Sequence, residues 1–251
     1  MRVTIRSAWL AIAALAVAAS ATPMELTNRQ STVKIMTLGD SITGSPGCWR
    51  AYLWQNLQEA GIKNTDFVGS LAGQGCGFPY DGENEGHVSL SSRAHCMANP
   101  ERQGGFLAVN IANQNQLPGW LSSAKPDIVM MHLGTNDVWS NRSPQEITTA
   151  FSKLVDQMRA SKPTMKVLAA KIIPMSPSNC AECGQRVVAL NTAIQAWAAT
   201  KTSADSPIMV VDAWTGFDTK TMTGDGVHPN DAGNKKLAKA WFQPLADAIK
   251  G

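Results

Sequence analysis

The sequence predicts an α/β domain, a parallel sheet with helices on both faces. Three observations carry this. Short apolar runs alternate with stretches of helical hydrophobic spacing about five times along the chain. Residues 127–133 form an apolar run typical of a strand covered on both faces. Clusters of Gly, Asp, Ser and Asn follow such runs directly, at the strand ends where a parallel sheet gathers its functional groups.

The elements are expected in this order. Residues 33–38 read as a buried strand. Residues 49–60 follow as a helix with Leu53 and Leu57 on one face and Gly61 as its stop. Residues 66–69 form a short strand and 127–133 the third. Ser143-Pro144 opens a helix that carries Ile147, Phe151, Leu154 and Met158 at helical spacing. Residues 166–173 are the fourth strand, 185–199 a helix, 208–211 the fifth strand and 232–249 a closing helix capped by Asn230. The chain has 251 residues, a length that suits one such domain, and no repeat, linker or second domain is evident.

Composition narrows the partners. A formal charge of +3, with no basic run, argues against nucleic acid or an anionic membrane surface. Residues 1–21 read as a secretory signal. Arg2 and Arg6 begin it, residues 9–18 are apolar, and Ala19-Ser20-Ala21 supplies the small residues of a cleavage site. The mature domain then spans 22–251 and is expected to be extracellular, with no membrane span. Export permits disulfides. Cys180-x-x-Cys183 reads as a structural disulfide rather than a redox or zinc pair, since no second ligand pair accompanies it. Cys48 and Cys76 are a candidate second pair, and Cys96 is left over.

Three motifs sit at strand ends. Gly39-Asp40-Ser41 follows the first strand, placing a serine on the turn before a helix and near free backbone N–H groups. Gly134-Thr135-Asn136-Asp137 follows the third, where the Asn136 amide can donate to a developing oxyanion. Asp225-Gly226-Val227-His228-Pro229 precedes the last helix. His228 suits a general base, and Asp225, three residues earlier, can hold the other ring nitrogen. Each motif alone also reads as ordinary turn chemistry. Together their order is nucleophile, oxyanion donor, then Asp and His.

From residue 33 onward the chain resembles the SGNH (GDSL-type) hydrolases. Gly39-Asp40-Ser41-Ile42 resembles their first block, Gly134 to Asp137 their third, and Asp225 to Pro229 their fifth. The resemblance implies a three-layer α/β/α sandwich with a five-stranded, parallel, flavodoxin-like sheet. It also implies ester hydrolysis by Ser41 and His228, with Asp225 as third triad member and no cofactor or metal. The implied oxyanion hole is the Ser41 N–H, Asn136 and a second-block glycine. The serine is not in a G-x-S-x-G elbow, which disfavours an α/β-hydrolase. Met36 to Thr43, Trp49-Arg50, Asp66-Phe67-Val68-Gly69-Ser70 and Asp81 to His87 resemble carbohydrate esterase family three, whose members deacetylate xylan. An acetylated polysaccharide is therefore the expected substrate and a monomer the expected state. Trp139 is a candidate sugar platform, and residues 82–85 a candidate cleft rim. His132, in a strand, is expected to be a satisfied interior residue.

In that family the stretch ending at His87 would run directly into a triplet like Gly104-Gly105-Phe106. Here residues 88–103 intervene, carrying Cys96 and no hydrophobic period. They read as a retained intron. Val88-Ser89 is compatible with a splice donor, Gln103 with an acceptor and Ala98-Asn99 with a branch point. Without them Gly105 falls at the second-block oxyanion position, with Gly86 as the fallback. The rival readings are a tolerated loop, an SGNH lipase or esterase acting on other acyl esters, and a catalytically impaired isoform that binds carbohydrate.

Overall fold

A computed structural model describes residues 31–88 and 106–251. The expected signal, nearly all of the 88–103 insertion with Cys96, and Gly105 lie outside the described residues.

Five parallel strands form the sheet: β1 (Val33–Gly39), β2 (Thr65–Val68), β4 (Ile128–His132), β5 (Lys166–Lys171) and β6 (Ile208–Asp212). Their spatial order is β2-β1-β4-β5-β6, the flavodoxin-like order that places a switch point between β1 and β4. The two-residue β3 (Glu85–Gly86) is a sixth, and it extends the β2 edge by pairing with Leu38 and Gly39 at the end of β1.

Alternation along the strands sorts the core into two layers. Met36, Leu38, Val129, Met131, Val167 and Ala169 face one side. There they meet α3 (Ala108–Asn113), α4 (Leu117–Ala124), α6 (Pro144–Ser161) and α7 (Cys183–Lys201). Ile35, Ile128, Met130, Leu168, Ala170 and Val211 face the other, against α2 (Trp49–Glu59) and α9 (Asp231–Lys250). The architecture is the expected three-layer α/β/α sandwich.

Local chemistry explains the boundaries. A complete capping box starts α6: Ser143 accepts from the Glu146 N–H, and Glu146 reaches back to the Ser143 N–H, with Pro144 inside the first turn. Asn230 caps α9 through the Gly233 N–H. The fourth strand stops two residues short of its expected end. The Ile172 N–H and C=O are taken by the Asn191 side chain on α7, in place of a neighbouring strand. Helices α3 and α4 went unread in the sequence. They have six and eight residues and no side-chain cap of their own, so neither periodicity nor an N-cap marks them. Both disulfides form as paired above, Cys48–Cys76 and Cys180–Cys183.

Candidate active site

β1 delivers its chain to the switch point at Gly39. A Cβ there would lie 2.1 Å from the Thr43 hydroxyl and 2.9 Å from the His132 carbonyl, so only glycine lets the next turn fold back. Asp40 then caps α1 (Ser41–Gly44), accepting the Ile42 N–H at 3.0 Å. Ser41 is the first residue of this single turn, so its own N–H has no intrahelical acceptor.

The Ser41 hydroxyl lies 2.9 Å from His228 Nε2, and His228 Nδ1 lies 2.7 Å from Asp225 Oδ2. Residues 187 positions apart in sequence thus form one hydrogen-bonded chain. Asp225 does two jobs. Its Oδ1 accepts the backbone N–H groups of Val227 and His228, closing the turn, while Oδ2 holds the ring. Partial burial pushes its carboxyl up, but these hydrogen bonds and the facing imidazole outweigh it and hold it below the usual range. Gly226 adopts φ +82°, and a Cβ there would lie 2.5 Å from the Ser176 carbonyl. The turn is pinned against that segment by the Ser176 N–H donating to the Gly226 carbonyl.

α5 (Thr135–Trp139) follows β4 and presents the second group. Asn136 Nδ2 donates one proton to the Phe106 carbonyl at 3.3 Å, which leaves the other for a substrate oxygen. Asp137 is fully buried and accepts the first two N–H groups of α3, from Ala108 and Val109. Neighbouring residues of α5 therefore both grip the turn at 106–109. Desolvation raises the Asp137 carboxyl despite those hydrogen bonds. Spacing alone did not assign Asp137 this role, because its partners lie 29 and 28 residues away.

Several sequence-level assignments move. The fallback glycine, Gly86, spends its N–H on Asn84 Oδ1. In the 82–85 stretch Gly82, Asn84 and Glu85 are buried while Glu83 is exposed, and Glu85 holds Ser70 and the His87 ring. That ring is stacked between Phe106 and Trp120, at 4.8 and 4.2 Å between centroids. His132 is interior but not satisfied. Both its ring nitrogens lack a partner among the described residues, and burial lowers its pKa to about 4. Trp139 ends α5, half-buried against the α6–α7 side of the core.

An imidazole bonded to a serine hydroxyl and steered by a carboxylate can take the serine proton as the oxygen attacks a carbonyl. Known proteins share this fold and part of this sequence. Residues 37–236 match the GDSL-like lipase/acylhydrolase family. A carbohydrate esterase family 3 structure from Talaromyces cellulolyticus is 34% identical, with a TM-score of 0.74, covering 87% of this chain and 98% of that one. The crystal structure of an acetyl esterase mutant with an acetate ion matches with the same identity, TM-score and coverage. A multidomain esterase of Ruminococcus flavefaciens is 29% identical over 90% of this chain, which spans 30% of that protein's length.

Proposed function

Because the chain belongs to the GDSL-like lipase/acylhydrolase family, we propose that it is a secreted carboxylic ester hydrolase that removes acetyl groups from xylan or a similar plant polysaccharide. The observation that carries this reading is the Ser41–His228–Asp225 hydrogen-bonded chain at the switch point of an SGNH hydrolase sheet. Ser41 attacks the acetyl carbonyl and His228 accepts its proton. The Ser41 N–H, Asn136 and the Gly105 N–H hold the oxyanion. His228 then gives the proton to the sugar oxygen as its bond to the acetyl carbon breaks, releasing the sugar hydroxyl, and activates the water that releases acetate. Trp139 supplies a ring-stacking platform three residues beyond Asn136. The acetyl reading draws support from the 34% identity to family 3 carbohydrate esterases. Secretion draws support from the two disulfides, which persist in oxidising compartments.

We further propose that residues 88–103 are a retained intron. The His87 and Phe106 rings meet at 4.8 Å, and Gly104-Gly105 alone can bridge about 10 Å between those two residues. A mature transcript that keeps these codons as its main form rules this out.

The test is acetate release from acetylated xylan by the complete chain and by a form lacking residues 88–103. Ser41→Ala is expected to lower kcat about 10⁶-fold, and Asp225→Ala by something on the order of 10⁴. An unchanged rate in Ser41→Ala refutes the nucleophile. Strong preference for long acyl chains moves the substrate to lipids.

A further inference from the structure

Three aromatic rings stand in series, tied by hydrogen bonds to the segments that flank Ser41 and His228. Tyr52, on α2, lies 5.7 Å from Phe78, and Phe78 lies 6.4 Å from Tyr80, centroid to centroid. All three are half-exposed. Among the described residues Phe78 packs against neither core layer, so burial in those layers does not account for it. An apolar ring left partly in water, flanked by two more, is a feature to explain.

The row is tied to the site at both ends. The Tyr80 hydroxyl donates to the Gln74 carbonyl at 2.9 Å, and Gln74 Nε2 donates to the carbonyl of Gly44, in the same turn as Ser41. Buried Arg50 bridges the Thr43 carbonyl of that turn to the Gly82 carbonyl just past Tyr80. At the other end the Tyr52 hydroxyl donates to Asp231, three residues beyond His228. Lys235 pairs with Asp231 at 2.8 Å and sits 5.3 Å from the centre of the Tyr52 ring. The Cys48–Cys76 disulfide staples the Phe78 loop to the start of α2. Tyr80 and Tyr52 are thus tethered to the segments that carry Ser41 and His228, with Phe78 between them.

We propose that Tyr80, Phe78 and Tyr52 form a binding subsite for the pyranose backbone of the polysaccharide, continuous with the catalytic site. The inference rests on the reading that the substrate is a polysaccharide ester. Successive sugar rings present apolar C–H faces that pack on aromatic faces, while their hydroxyls reach polar edges such as the two tyrosine hydroxyls. Neighbouring protein rings are tilted by 53° and 60°. A flat crystalline surface requires coplanar rings, so the row suits a soluble chain whose sugars turn from one to the next. The adjacent acid–base pair Asp231–Lys235 neutralises itself, which suits an uncharged glycan.

The experiment is affinity electrophoresis of Ser41→Ala protein through gels containing soluble xylan. Retardation is expected, and adding Phe78→Ala is expected to raise the apparent Kd roughly tenfold. Phe78→Trp, which keeps an aromatic face, is expected to retain binding. Trp214→Ala, an exposed tryptophan after β6, leaves retardation unchanged. Equal retardation with and without Phe78→Ala overturns the subsite. So does a folded Phe78→Trp protein, verified by its melting curve, that fails to bind, or capture by crystalline cellulose but not by soluble xylan. Hydrolysis of an aryl acetate by the unmodified protein separates the two readings. Turnover without retardation removes the subsite and keeps the esterase. Ring-dependent retardation without turnover removes the esterase and keeps the subsite.

Discussion

Asp40 sits directly before Ser41, fully buried, with Oδ2 unpartnered among the described residues. Burial raises its pKa to about 7, and Asp137 adds to this, against the Ile42 N–H, His228 and Thr135. The unfolded chain releases this proton near 3.8, so between there and 7 the folded state binds more protons, and Asp40 destabilises the fold as pH rises through that window. His132 has the opposite slope. Its pKa falls from 6.5 to about 4, the unfolded state binds more protons in between, and stability is lost on acidification. The two largely cancel. Asp40→Asn keeps an oxygen for the Ile42 N–H and carries no charge. Urea melts are expected to show the variant gaining on the wild type from pH 4 to pH 7, by at most about 4 kcal/mol. They are also expected to show the variant losing stability faster below pH 6.5, where the histidine acts unopposed. A difference independent of pH contradicts this account.

At the scale of elements, the one-turn helix α1 is held by a backbone contact. A Cβ on Gly86 would lie 2.4 Å from the Gly44 nitrogen, and one on Gly44 would lie 1.8 Å from the Gly86 carbonyl. β3 and α1 therefore approach as closely as two glycines allow. Gly86→Ala is expected to push the turn that carries Ser41 by something on the order of 1 Å and lower kcat about 10²-fold. A normal steady-state rate in that variant refutes the contact's importance. α6 offers a contrast far from the chemistry. Its capping box is exposed, so Ser143→Ala is expected to cost about 1 kcal/mol in denaturation while leaving turnover intact.

For the whole molecule, the two disulfides differ in reach. Cys48–Cys76 closes a separation of 28 residues and Cys180–Cys183 one of 3. In the chain-entropy account the longer bridge contributes about 3.5 kcal/mol and the shorter about half of that. Calorimetry of Cys48→Ala/Cys76→Ala is expected to show the larger drop in melting temperature of the two paired deletions. The same variant also frees the loop that carries Phe78 and Tyr80, so xylan retardation is expected to weaken with it. Both sheet faces are covered, one by α2 and α9 and the other by helices that include α3, α4, α6 and α7, and the site at the switch point rests on both layers.

The linear chain determined whatever depends on near neighbours. Strand runs, the α6 capping box, the Asp225-to-His228 turn and the Gly39-to-Ser41 entry to a helix are written within a few residues, so their backbone and hydrogen-bond demands are readable in order. The blocks at Gly39 to Ile42 and Gly134 to Asp137 were legible because each follows a strand end, whereas Asp225 to Pro229, also expected at one, lies beyond β6 and the helical turn at 219–222, directly before α9. Tertiary structure alone decided what depends on long-range packing. It joined Ser41 to His228 across 187 residues, capped α3 with Asp137 and ended β5 with the Asn191 side chain. It also left His132 buried without partners among the described residues and set Tyr52, Phe78 and Tyr80 in a row. Hydrogen bonds and burial act through a few ångströms of space, and a buried side chain's partner is set by which elements the core brings face to face, not by its place along the chain.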